Sequence, residues 1–153
     1  MALSSLIGTA QLLPAKVASH FNGAGAPDGW MGRQDYLWSM AGVELALALL
    51  ILGVFYGMRY FPPAAINLPR REYWLSEDRR AETFGILFRA GAWLASLVAV
   101  LFCGLHLLVV AANSSQPVRL SSAAWLLLAG FLAAMSVWAV SLVWRFWRVA
   151  QTE

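Results

Sequence analysis

Few side chains in this sequence could do chemistry, and they are unevenly placed. Glu44 and His106 each stand alone inside a long apolar run. An ionisable group in such a run is costly unless it faces a partner or water. Glu44 lies about two helical turns from one end of its run, and His106 under two turns from the matching end of its own, so the two share a depth. The expectation is a buried polar pair, Glu44 with His106. A ligand- or pH-sensing role for the same two groups, and no contact between them, are the alternatives.

His20, Asn22 and Asp28 cluster in the stretch "HFNGAGAPDGW", His20 to Trp30. Asn22-Gly23, Pro27 and Asp28-Gly29 are strong turn formers, held locally by Asn and Asp side chains. One reading is therefore a set of turns, with Phe21 and Trp30 anchoring the loop at a membrane interface. The other is a small recognition loop for a ligand or partner, made by His20, Phe21, Asn22, Gly25, Asp28 and Trp30. One His and one Asp fall short of the three or four ligands a metal takes, so no metal site is expected. Cys103 and His106 share a helix face, again without further ligands. No serine has a paired base, no histidine joins a triad, and no glycine-rich loop opens a helix after a strand. A non-enzymatic protein without a cofactor is expected.

The elements that position these residues follow from hydropathy. Of 153 residues 60% are hydrophobic and only 12% charged, far from the balance of a soluble domain. Three apolar runs are long enough to cross a bilayer, at about 37–58, 85–112 and 120–145. Continuous runs exclude a barrel and leave helices, so the fold class is an all-α membrane protein with three transmembrane helices. Residues 2–13 would reach only about 18 Å as a helix and cannot cross; an interfacial or capping helix is expected. One cysteine permits no intrachain disulfide.

The net charge of +3 does not point to nucleic acid, because the arginines flank apolar runs rather than form a soluble stripe. Arg59, Arg70, Arg71, Arg79, Arg80, Arg89, Arg145 and Arg148 fall on one side of the three spans, against Lys16, Arg33 and Arg119 on the other. This asymmetry places the 59–84 connection and the C-terminus in the cytoplasm and the N-terminal segment, residues 1–36, outside. The domain reading is thus an extracytoplasmic segment, 1–36, and a membrane domain, 37–153. Pro62-Pro63 ends the first span. Tyr73-Trp74-Leu75 reads as an amphipathic patch at headgroup level. Ser76 reads as the N-cap of a helix running from Glu77 through Ala112, which would protrude into the cytoplasm. Arg70, Arg71, Arg79 and Arg80 are expected to serve anionic headgroups or to dock an acidic cytoplasmic partner. Gly91, Ala95, Ala99 and Cys103 repeat small residues every four positions, a stripe for close helix packing, with Gly130 and Ala134 on the third span as its expected counterpart.

Two stretches together resemble a known family. "LPAKVASHFNGAGAPDGW", Leu13 to Trp30, is similar to the extracytoplasmic signature of small bacterial membrane proteins with an SdpI-type domain of unknown function. "INLPRREYWLSEDRRAET", Ile66 to Thr83, is similar to the cytoplasmic connection of many of the same proteins. Ala18 stands where the family often has proline, and only residues 1–13 precede the motif where the family has a span, so the resemblance implies that the family's first span is lacking here. It also implies a multi-pass protein of the bacterial inner membrane, and a group that includes an immunity protein against a secreted peptide toxin that sequesters a cytoplasmic repressor. The function expected is a sensor or immunity-type protein with an outer recognition loop and a cytoplasmic reporting segment. Its partners would be membrane lipids, an extracellular peptide ligand and a soluble cytoplasmic regulator. The competing class is a small accessory subunit of a larger membrane complex, whose partners would be the other membrane subunits.

Overall fold

The computed structural model describes residues 2–148. The chain runs α1 (Ala2–Thr9), β1 (Lys16–Phe21), β2 (Pro27–Gly32), α2 (Arg33–Gly57), α3 (Arg71–Trp74), α4 (Arg80–Asn113) and α5 (Ala123–Arg148). Short 3-10 turns follow α1 and α2 and occupy Pro63–Ala65. Among the described residues α2, α4 and α5 are long and apolar enough to cross a membrane, which makes this a membrane protein. At 34 residues α4 is about 51 Å long, well beyond a hydrocarbon core of about 30 Å.

The all-α expectation needs one correction. Residues 16–32 form a two-stranded antiparallel hairpin, pairing Lys16 with Gly32, Val17 with Met31 and Ala18 with Trp30. The ladder breaks beside Ser19 and resumes with His20 opposite Gly29 and Phe21 opposite Pro27. The interrupted register hides the period-2 pattern of a strand, because a bulge shifts which residues share a face.

Contacts divide the chain into two compact units, residues 1–46 with 98–132, and residues 47–97 with 133 onward. In the first, Leu13, Val17, Tyr36 and Val110 form the core, backed by Met31, Met40 and Val109. In the second, Ile66, Trp74, Leu75, Phe84, Leu87 and Phe146 do so. Trp74 and Leu75 are therefore core residues and not the open apolar face of an amphipathic patch. The indole Nε1 of Trp74 donates to the Phe146 carbonyl at 2.9 Å. The spanning stretches bury little, and large apolar side chains such as Leu126, 76% exposed, and Val137 stand on open helix faces. Lipid is as apolar as leucine, so burying such faces against protein gains little and leaving them to the bilayer costs little.

The start of α4 also differs from expectation. Ser76 spends its hydroxyl on the Tyr73 carbonyl at 3.0 Å, and so caps no helix with it. Its carbonyl accepts from Arg79 and Arg80, which turns the chain into a helix beginning at Arg80. Buried Thr83 fastens the first turn by donating to the Trp74 carbonyl at 2.7 Å.

Helix packing departs from the expected pairing of the stripe with Gly130. A side chain on Gly91 would meet the Phe55 ring of α2 at about 2.5 Å, whereas a side chain on Gly130 would meet nothing within 4 Å. On α5 the residue opposite this contact is Trp138, whose ring lies edge-on to Phe55 and whose indole donates to the Ala90 carbonyl at 3.1 Å. Gly104, outside the stripe, is where Leu127 of α5 comes close. Ala95, Ala99 and Cys103 are half-buried.

Candidate functional site: a docked hairpin and its polar cluster

The hairpin turn is built by one side chain. Asn22 Oδ1 accepts from the backbone N–H groups of Ala24 and Ala26, both at 3.0 Å. Its own N–H donates to the Ala26 carbonyl at 2.9 Å. Gly25 closes the turn with φ +78°, a left-handed conformation that favours glycine.

The hairpin is fastened to the connection between α4 and α5. Leu120 donates its N–H to the Gly25 carbonyl at 2.9 Å. Arg119 donates through Nε and Nη2 to the Ala24 carbonyl, at 3.3 and 3.0 Å. Asn113, the last residue of α4, acts on β1 as an extra piece of strand. Its Oδ1 accepts from Ala18 N–H at 2.8 Å, and its Nδ2 donates to the Ala18 carbonyl at 3.0 Å. Nδ2 also donates to the Val109 carbonyl of its own helix, which fixes the rotamer. Val17 and Ala18 have no exposed surface. Proline at position 18 would remove the N–H that Asn113 uses.

His106 lies in the same unit and bonds through both ring nitrogens. Thr9 Oγ1 sits 2.6 Å from Nε2 and the Tyr36 hydroxyl 3.0 Å from Nδ1, with the Tyr36 and His106 rings stacked at 5.8 Å. An imidazole with one N–H donates through one nitrogen and accepts through the other, and hydroxyls serve either way. One buried histidine thus joins α1, α2 and α4. The expected Glu44–His106 pair is not formed. Glu44 stands eight residues past Tyr36 on α2, about 12 Å along the axis, and both nitrogens of His106 are already engaged.

His20 and Asp28 meet across the strands, Nδ1 to Oδ1 at 2.5 Å, with side chains 75% and 43% exposed. Asn22 supports the turn, Phe21 is half-buried and Trp30 is exposed beneath Lys16, whose Nζ stands 5.9 Å from the ring. Of the six residues of the recognition loop, Asn22 and Gly25 are structural, Phe21 is half-buried, and His20, Asp28 and Trp30 are displayed. No group of three or more metal-ligating side chains occurs among the described residues.

In the other unit the four arginines serve their own chain. Arg70 takes a left-handed conformation, φ 51°, and its carbonyl accepts from Tyr73 and Trp74 to start α3. Arg71 donates to the Ala64 carbonyl, and Arg79 lies 4.1 Å over the Tyr73 ring. Arg80 donates to the Arg59 carbonyl. Arg70 and Arg71 remain exposed, and Arg79 and Arg80 are half-buried.

Thr9, Tyr36, Asn113 and Arg119 are the residues that reading the sequence missed as site members. A five-residue loop containing two glycines between short runs is a hairpin signal and could have revealed the strands. Nothing local marks Asn113, whose partner is ninety-five positions away. Residues 1–44 match the family described as domain of unknown function DUF1648, which is found in membrane proteins; the match takes in α1, the hairpin and the start of α2 up to Glu44. No curated protein and no solved structure matches the chain.

Proposed function

We propose that this is a non-enzymatic, SdpI-like sensor or immunity-type protein of the bacterial inner membrane. The hairpin lies outside, and residues 59–84 and the C-terminus lie in the cytoplasm. The orientation rests on eight basic residues against three on the two sides of the spans. One observation carries the recognition role. The hairpin is held by Asn113 at β1 and by Arg119 and Leu120 at its turn, yet it displays the His20–Asp28 pair, which meets across its two strands. A linker between α1 and α2 needs neither the clamp nor a displayed polar pair, whereas a binding surface gains affinity from being held in place beforehand. The ligand class that suits it is an extracellular peptide, and the exposed Arg70 and Arg71 offer a docking surface to an acidic cytoplasmic regulator.

A second reading, an accessory subunit, is favoured by an apolar groove of about 450 Å³ between α1 and α2. Ile7 and Trp38 border it and are almost fully exposed, at 79% and 78%. Gentle extraction from the native membrane with mass spectrometry of co-purifying proteins separates the two. Recovery alone or with a soluble regulator, lost on Arg70→Gln with Arg71→Gln, supports the sensor. A stoichiometric set of membrane subunits overturns it.

A further inference from the structure

A groove of about 800 Å³ opens where the hairpin tip meets α4 and α5, a volume within the range of small-molecule sites. Its lining is mixed in chemistry: Asn22, Arg119 and Ser122 are polar, and Leu101, Leu105, Trp125 and Leu128 form an apolar wall. Leu105 and Leu101 lie eight and twelve residues before Asn113, about 12 and 18 Å along α4, so the wall runs into the span while the polar residues stay at its boundary. Trp125 is 61% exposed, so the wall is open sideways toward lipid.

Arg119 is the only charged residue among the described residues that line the groove. Among the described residues no carboxylate pairs with it, and two of its five N–H groups go to the Ala24 carbonyl. A guanidinium with donors to spare suits a phosphate, which it can hold through more than one hydrogen bond.

From this arrangement we propose that the groove holds an anionic phospholipid, its phosphate on Arg119 and one acyl chain along Leu101, Leu105 and Trp125. The site is distinct from the displayed His20–Asp28 pair and stands whether or not that pair recognises a ligand. A secreted peptide would reach the polar residues but has no need of a wall that opens into the bilayer.

The test is native mass spectrometry of the protein released from nanodiscs of phosphatidylglycerol mixed with phosphatidylcholine. The expected result is a single retained phosphatidylglycerol, preferred about tenfold over phosphatidylcholine, with the preference lost in Arg119→Gln and kept in Arg148→Gln. Because Arg119 also holds the hairpin, Leu105→Trp provides a second arm: it fills the groove without touching the Ala24 contact and should reduce retention while hairpin amides stay protected from exchange. Equal retention of the two lipids, a bound phosphatidylglycerol indifferent to both variants, or a peptide cross-linked to Trp125 in place of lipid would overturn the proposal.

Discussion

Removing the Asn113 side chain should release the hairpin. Asn113→Ala deletes the acceptor for Ala18 N–H and the donor for the Ala18 carbonyl, at a residue with no exposed surface. Each buried backbone group left without a partner costs about 1–3 kcal/mol, so the two together cost about 2–6 kcal/mol. The loss falls on one edge of a two-stranded ribbon, so it should appear as local opening before global unfolding. The assay is hydrogen exchange of hairpin amides in nanodiscs. At the low end of the range, amide protection at positions 17–20 should fall about thirtyfold, and Leu120, whose N–H reaches the hairpin at Gly25, should lose protection with them. Ser114→Ala, which removes only a hydroxyl bonded within its own helix, is the control and should change protection little. Unchanged hairpin protection in Asn113→Ala would refute the clamp.

Other outcomes follow from the same geometry. Gly25→Ala forces a side chain into a left-handed conformation and within 2.6 Å of the Leu120 carbonyl oxygen; a cost of at least about 1–2 kcal/mol should show as faster exchange at Leu120. Tyr36→Phe strips one partner from buried His106, costing about 1–3 kcal/mol and lowering the thermal midpoint in detergent. Gly91→Ala should destabilise by about 1–3 kcal/mol through the Phe55 ring, and adding Phe55→Leu should recover most of the loss in the same thermal assay. In a Cys103→Ser background, Asp28→Cys should be labelled by an impermeant maleimide in intact cells and Arg79→Cys should not; the reverse pattern would invert the proposed orientation.

The three spanning helices were legible because lipid requires long uninterrupted apolar runs, and nothing in tertiary packing alters that requirement. Their ends were less so: α4 begins at Arg80 because Ser76 turns its hydroxyl to Tyr73, a choice between two local hydrogen bonds that composition does not decide. The hairpin escaped notice because its ladder breaks at Ser19 and its outer residues are turn formers, so the same letters that read as loop also close a ribbon. The displayed residues His20 and Asp28 were visible as polar side chains in a nonpolar chain. The residues that hold the hairpin were not. Asn113 and Arg119 act through backbone groups of Ala18 and Ala24, and a side chain's pairing with a distant backbone leaves no pattern in spacing. His106 stands out in the sequence as a polar group in an apolar run, but its partners are the hydroxyls of Thr9 and Tyr36, which hydropathy treats as incidental.

The recognition role of the hairpin is tested most directly by photo-crosslinking in native membranes. A photoreactive residue is placed in turn at position 20, beside Asp28, and at position 38, on the exposed face of α2. The expected result is a discrete protein or peptide adduct from position 20 that weakens when Asn113→Ala frees the hairpin, with only lipid captured from position 38. A membrane-subunit adduct from position 38 and none from position 20 would contradict the recognition role and leave the accessory-subunit reading.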